Sequence, residues 1–233
     1  MSEPLTLVLG GGGLFGAYQA GLWLALEGNV ALDGVIGASI GAVNGWAIAS
    51  GVPAREWIDR WLHAGPWARM EWRWPLRRSG ALLNAAPYER FLRELCETHT
   101  PRVRYGCAVT ELPRLNKKLI TYPEAGWRHL AASCAMPFLF PPVKLADKWC
   151  IDGGLFAACP MWAVTDAEPR RVLAVDCWND GPWEESAGTL LVRPRRSLGS
   201  WTEMLAFDAD RTARWIEAGR EDGLEVLRRF RPS

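Results

Sequence analysis

Lysine is scarce in this 233-residue chain. Lys117, Lys118, Lys144 and Lys148 are the whole complement, and the rest of the 27 basic residues are arginine. Arginine suits forked contacts to phosphate and carboxylate and stacking on aromatic rings. With 26 acidic residues the formal net charge is +1, which excludes general nucleic-acid binding, because that requires a strong basic excess. Histidine is scarcer still: His63, His99 and His129 are the only three. The six cysteines form no C-x-x-C pair and no group with histidine at zinc-ligand spacing, so no metal site is expected. No apolar run reaches the roughly 18 residues of a membrane-spanning helix. The N-terminus lacks the basic-then-apolar pattern of a secretory signal. Reduced, mostly buried cysteines and a cytoplasmic protein are therefore expected. Repeats, low-complexity tracts and long linkers are missing too, so one domain over residues 1–233 is the simplest organisation.

What is present reads as alternating strands and helices. Hydrophobic residues make up 49% of the chain, enough for a full core. Pro4–Leu9 reads as an apolar strand, Leu14–Glu27 as a helix, Asp33–Ala38 as a second strand and Ile40–Ser50 as a second helix. Strand, helix, strand, helix within 50 residues implies a parallel pair with a crossover, hence an α/β fold. The first helix is apolar on nearly every side, which marks a buried helix. Further helices are expected from Pro53 to His63, Pro87 to Glu97 and Gly126 to Ala135, and strands over Arg102–Thr110, Lys117–Tyr122, Trp149–Ile151 and Arg171–Asp176. Phe138–Val143 reads as a rigid apolar loop. Residues 198–230 read as C-terminal helices broken by an exposed turn around Gly219–Gly223.

Three stretches carry chemistry. Gly37-Ala38-Ser39-Ile40-Gly41 is a G-x-S-x-G elbow, in which a sharp strand-to-helix turn requires glycine two residues either side of the serine. The turn puts Ser39 at a helix N-terminus, where developing negative charge is favoured. Read alone, the pentapeptide fits equally an ordinary turn with Ser39 as N-cap. The run Gly10–Gly13 exposes backbone N–H groups between a strand and a buried helix. Its spacing Gly11-x-Gly13-x-x-Gly16 also satisfies the dinucleotide fingerprint, but the second strand ends in Gly37-Ala38-Ser39 where that fingerprint wants an acid. An oxyanion hole is the other use of such a loop. A serine nucleophile needs a base. No histidine lies beyond position 129, and Asp59 is the only aspartate between Ser39 and His129, so the order Ser, acid, His of an α/β-hydrolase is not met. Asp152, followed by Gly153 and Gly154, is the strongest carboxylate candidate, although Asp-Gly-Gly alone also reads as a turn. Asp166, Asp176 and Asp180 read as structural.

Together these stretches resemble the patatin-like phospholipase family. Gly10-Gly11-Gly12-Gly13-Leu14-Phe15-Gly16-Ala17-Tyr18-Gln19-Ala20-Gly21 is similar to its glycine-rich motif and first helix, and Gly37–Gly45 to its nucleophile elbow. Ala132–Val143 is similar to its proline-rich segment, and Asp152-Gly153-Gly154 stands at its D-G-[GA] position, with Pro160 after it. The resemblance implies a three-layer α/β/α fold with a mainly parallel central sheet. It also implies a Ser–Asp dyad, with Ser39 as nucleophile and Asp152 as general base, and an oxyanion hole from the Gly11, Gly12 and Gly13 amides. Gly16, Gly37, Gly41, Gly153 and Gly154 would be the motif glycines. The implied substrate is a lipid or other acyl ester, cleaved through an acyl-enzyme without a cofactor. One position departs: Phe15 stands where the family usually has Arg or Lys. An acyltransferase on the same dyad, or a lipid-binding module with an impaired site, stay open beside the hydrolase.

Residues 64–87 break the pattern. Trp67, Trp72 and Trp74 are interleaved with Arg69, Arg73, Arg77 and Arg78, with Glu71 as the single acid. Trp with Arg is the chemistry of a lipid headgroup layer, so this stretch is expected to be a lid or a peripheral membrane contact. Tryptophans folded back onto the core are the alternative.

Overall fold

A computed structural model of the chain describes residues 4–63, 82–155, 158–164, 171–178 and 188–230. Six strands open the sheet: β1 (Leu5–Leu9), β2 (Leu32–Ala38), β3 (Arg104–Glu111), β4 (Asn116–Thr121) and, after a short β5 (Val143–Leu145), β6 (Lys148–Asp152). β7 (Arg171–Val175) and β8 (Thr189–Val192) follow. The helices are α1 (Gly16–Leu26), α2 (Ile40–Ala49), α3 (Ala54–Leu62), α4 (Ala86–Thr98), α5 (Trp127–Ser133), α6 (Trp201–Leu205) and α7 (Ala209–Phe230). The sheet runs β5-β6-β3-β2-β1-β7-β8, with β4 paired to β3 off this path. Its middle, from β3 through β2, β1 and β7 to β8, is parallel, and β4, β5 and β6 are antiparallel additions around β3. This is the mainly parallel central sheet of an α/β fold.

Side chains alternate across each strand, so the sheet sorts its apolar residues onto two faces. Leu5, Leu7 and Leu9 of β1 join the large cluster with Val35, Tyr105, Cys107 and Val109 and with residues of all seven helices. Val8, Val172 and Ala174 form a smaller cluster with Cys159, Met161 and Val164 from the segment after β6. α1 is the most enclosed helix, with every residue buried except Leu24.

The expected turn at Gly219–Gly223 does not exist. α7 runs unbroken through both glycines, and both are buried. A Cβ on Gly219 would lie 1.9 Å from Tyr18 O, and one on Gly21 would lie 1.9 Å from Ile216 O. The glycines are there to let α1 and α7 touch backbone to backbone. That contact offsets the roughly 1 kcal/mol that glycine costs inside a helix. Two strands were also not anticipated: β5, at the end of the stretch read as a loop, and β8. Each has four residues or fewer, too short to show a periodic signal. Among the described residues no helix is long and apolar enough to cross a membrane.

Candidate active site

The register of β3 brings the elbow and the carboxylate together. β4 pairs along Gly106–Glu111 of β3. β2 pairs with Arg104–Ala108 and β6 with Val109–Glu111. Since β4 overlaps both, β2 and β6 must share the other edge of β3. β2 runs parallel to β3 and β6 antiparallel, so the two meet head-on, with Ala38 opposite Ala108 and Asp152 opposite Val109. The next residue after Ala38 is Ser39. Ser39 Oγ donates to Asp152 Oδ2 at 2.7 Å across 113 residues of chain.

Ser39 has φ 54° and ψ −130°, a conformation that non-glycine residues avoid and that costs of order 1–3 kcal/mol. The turn is tight on both sides. A Cβ on Gly37 would lie 2.3 Å from Gly41 O, and one on Gly41 would lie 2.3 Å from Leu9 O. The hydroxyl makes no capping bond to α2, so the N-cap alternative does not describe it. The Ser39 N–H donates to Ser133 Oγ at 2.8 Å, and Ser133 Oγ donates to Ala108 O at 2.7 Å.

Asp152 is buried. Its second oxygen, Oδ1, accepts from the Gly154 N–H at 2.7 Å, so the Asp-Gly-Gly stretch is a turn and presents a carboxylate at once. A Cβ on Gly153 would lie 2.0 Å from Ala108 O, which leaves no room for any other residue. Burial pushes the Asp152 carboxyl up to about 6, against the opposing pull of its bonds from Ser39 and Gly154.

The glycine loop is anchored at both ends. The Gly10 N–H donates to Val175 O and the Gly11 N–H to Ala158 O at 2.8 Å. The Gly11 amide, expected to face an oxyanion, is thus already engaged. Among the described residues no hydrogen bond takes the amides of Gly12 or Gly13. Gly12 has φ 147°, which is open only to glycine, and a Cβ on Gly16 would lie 2.5 Å from the Ile40 side chain. Gln19 Nε2 donates to Gly10 O at 2.7 Å, and Asn44 Nδ2 donates to Gly16 O at 2.9 Å and to Gln19 Oε1 at 2.8 Å. Trp57 Nε1 donates to Asn44 Oδ1 at 2.8 Å. These residues are fully or almost fully buried. The sequence reading passed over Gln19, Asn44 and Ser133. A lone amide in an otherwise apolar helix, as in α1 and α2, was the available signal, because a buried polar group requires partners.

Gly13 and Ser39 line a cavity of about 50 Å³ whose other walls are Leu14, Ile40, Tyr88, Cys134, Met136, Leu139, Phe140, Met204 and Leu205. Tyr88 OH donates to Cys134 Sγ at 3.1 Å, and none of the lining residues is charged. Phe15 does not face this cavity. It is buried, with its ring 5.4 Å from that of Trp178 and edge-on to Trp215 at 5.1 Å. Asp176, read as structural, accepts from Trp178 N and pairs with Arg193. His129 Nδ1 accepts from the Gly126 N–H, and among the described residues no histidine bonds to Ser39 or Asp152. Trp67, Trp72, Trp74, Arg69, Arg73, Arg77, Arg78, Asp166 and Asp180 lie outside the described residues.

The fold has solved counterparts. VipD from Legionella pneumophila superposes with a TM-score of 0.62 over 98% of this chain and 67% of that one, at 13% identity. The type III effector protein ExoU superposes with a TM-score of 0.57 over 98% of this chain and 53% of that one, at 15% identity. At such identities the likeness is one of fold. In sequence, lysophospholipase NTE1 of Debaryomyces hansenii is 26% identical over 184 residues, which are 75% of this chain but 12% of that protein. The chain therefore corresponds to a small part of that relative. Residues 7–165, which run from β1 past the Asp-Gly-Gly turn, match the family described as patatin-like phospholipase, and the chain belongs to that family.

Proposed function

We propose that this chain is a lipid acyl hydrolase in which Ser39 is the nucleophile and Asp152 its general base. The carrying observation is the 2.7 Å bond from Ser39 Oγ to Asp152 Oδ2 beside an apolar cavity. The carboxylate takes the Ser39 proton as Oγ forms a bond to the acyl carbon of the ester. The ester C–O bond then breaks, and the departing alcohol takes the proton from Asp152. Water next loses a proton to Asp152 and attacks the acyl-serine, and Ser39 leaves with that proton, which regenerates the dyad. A base that titrates near 6 is ionised at neutral pH yet basic enough to share the proton in the transition state. The amides of Gly12 and Gly13 and the N-terminus of α2 support the oxyanion, and losing one such donor typically costs roughly 3–4 kcal/mol. Gly11 belongs to the scaffold of the loop.

The uncharged cavity favours the acyl chain as the part of the substrate held there. Similarity to a lysophospholipase supports a single-chain lipid ester. The Trp67–Arg78 stretch is assigned to lipid-surface contact on its sequence. Where the chain re-enters the described fold, Leu82 N and Leu83 N donate to Phe138 O and Leu139 O beside the cavity, and Phe138 is 81% exposed. Phe15 removes a cation but no loop amide, so it favours activity without a fixed positive charge behind the loop.

The test is labelling by a fluorophosphonate together with turnover of p-nitrophenyl butyrate and a lysophospholipid. Wild type should label and turn over both esters, and Ser39→Ala should do neither. Asp152→Asn should lose at least about a thousandfold in rate, as expected when a catalytic base is removed. Full activity in either variant would end the dyad reading. An acyltransferase would instead pass the acyl group to an added alcohol in preference to water.

A further inference from the structure

We infer that Ser133 is the positioning residue of this site, holding the nucleophile and the base at their working separation through three bonds made by one residue. The inference rests on the dyad reading above and adds to it the element that sets the dyad's geometry. β2 and β6 are separate strands that meet only at the edge of β3. No pairing joins β2 to β6 directly, so the Ser39–Asp152 distance depends on what spans the junction. Ser133, the last residue of α5, does so and is completely buried. Its hydroxyl donates its single proton to Ala108 O at 2.7 Å, on the β3 residue opposite Ala38. That leaves its lone pairs free for the Ser39 N–H at 2.8 Å. Its carbonyl accepts from the Gly153 N–H at 3.2 Å, and two residues on Ala135 O accepts from the Asp152 N–H at 3.1 Å. The nucleophile's amide and the two amides at the base thus end on the same three-residue stretch.

Two consequences follow from this placement. Ser39 sits in a strained backbone conformation that only its surroundings maintain, and the Ser133 bond is the one that fixes its amide. The same bond also engages that amide and leaves oxyanion binding to the glycine loop and the N-terminus of α2. Ser133→Ala removes the acceptor of a buried N–H and lets the elbow relax away from Asp152. Ser133→Cys fills similar space with a much weaker hydrogen-bonding group.

The measurement is the pH dependence of fluorophosphonate labelling and of p-nitrophenyl butyrate hydrolysis for wild type, Ser133→Cys and Ser133→Ala. The expected result is a graded fall in kcat, about 10- to 100-fold for Ser133→Ala, as sub-ångström to ångström misplacement of reacting groups produces. KM should stay within about twofold, because Ser133 lies behind the cavity wall and touches no substrate. The acid limb, near 6 in wild type, should move to higher pH as Asp152 loses the bond from Ser39 that holds its carboxyl down. The limb is read against each variant's own plateau, so a smaller folded fraction does not imitate its movement. Wild-type kcat in Ser133→Ala overturns the inference. A lower kcat with an unmoved limb overturns it too, because that is the signature of a purely structural serine. The two readings fail separately. Labelling retained in Asp152→Asn would remove the dyad itself, whereas a silent Asp152→Asn beside an unaffected Ser133→Ala would remove only the role of Ser133.

Discussion

Ser39 is delivered from the middle of the parallel sheet, on a strand flanked by β1 and β3 and followed by a helix whose ten residues are all buried. Asp152 is delivered from the opposite direction by a five-residue strand that pairs with β3 over three residues and leaves Lys148 and Trp149 exposed. The nucleophile side is held by bulk packing: the elbow glycines press on neighbouring backbone, and Gln19, Asn44 and Trp57 form a buried network behind the loop. The base side is held by a few individual bonds, from Gly154, Thr110 and the end of α5. A buried network fails as a unit when one member is lost, whereas a set of separate bonds fails one bond at a time. The two sides should therefore respond differently to single substitutions.

The largest effect on stability is expected at Asn44. All four hydrogen-bonding positions of its amide are used: Nδ2 serves Gly16 O and Gln19 Oε1, and Oδ1 accepts from Trp57 and Trp61. Asn44→Ala removes the partner of several buried groups at once and should cost about 3–5 kcal/mol, measured by urea unfolding. Labelling of Ser39 should fall with it, since the loop loses its tie at Gly16. A cost below about 1 kcal/mol would mean that the network is not what makes the Ser39 side rigid.

On the Asp152 side the proposed base is itself a burden on the fold. Burial raises the Asp152 pKa from 3.8 to about 6. The folded state therefore binds the proton more tightly than the unfolded state. The associated stability is fully present below pH about 4 and is lost as pH rises through about 6. The loss corresponds to about 3 kcal/mol by pH 8, from 1.36 kcal/mol per pKa unit. Asp152→Asn keeps the shape without the charge. It should be inactive yet more stable than wild type at pH 8 by up to about that amount, with the gap closing as pH falls toward 4. Unfolding curves at pH 4, 6 and 8 test this, and a gap that does not depend on pH would mean that Asp152 is solvated in the folded protein.

The contrast also explains what could be read from the chain alone. The Ser39 side is written in local signals, because a strand, a glycine turn and a helix succeed one another within 40 residues. The glycines at 37 and 41 are required by contacts with immediate neighbours or with β1. The position of Asp152 was legible through its motif, but its path to Ser39 was not. That path depends on β6 and β2 both pairing with the same edge of β3, from positions far apart in the chain, which no local pattern encodes. Ser133 was hidden for the same reason: in sequence it is one small residue at the end of a helix, and its partners lie 94 and 25 residues away. Gly219 and Gly223 misled the reading because glycine marks a turn and a close helix contact alike. Only the facing glycine on α1, Gly21, tells the two apart.

The smallest effect is expected at Thr110, and it bears on whether the strand or the end of α5 fixes the base. Thr110 Oγ1, on β3, donates to Asp152 O at 3.0 Å and is buried. Thr110→Val keeps the shape and removes the hydroxyl, so about 1 kcal/mol of stability should be lost. If α5 positions the base, kcat should change by no more than about threefold, because the ties from Asp152 and Gly153 to Ala135 and Ser133 are intact. A fall in kcat beyond about tenfold at the same small stability cost would reverse the assignment. Pairing with β3 would then set the carboxylate. The base side would be held by its strand, as the nucleophile side is, and the contrast between the two halves of the dyad would be one of strand length alone.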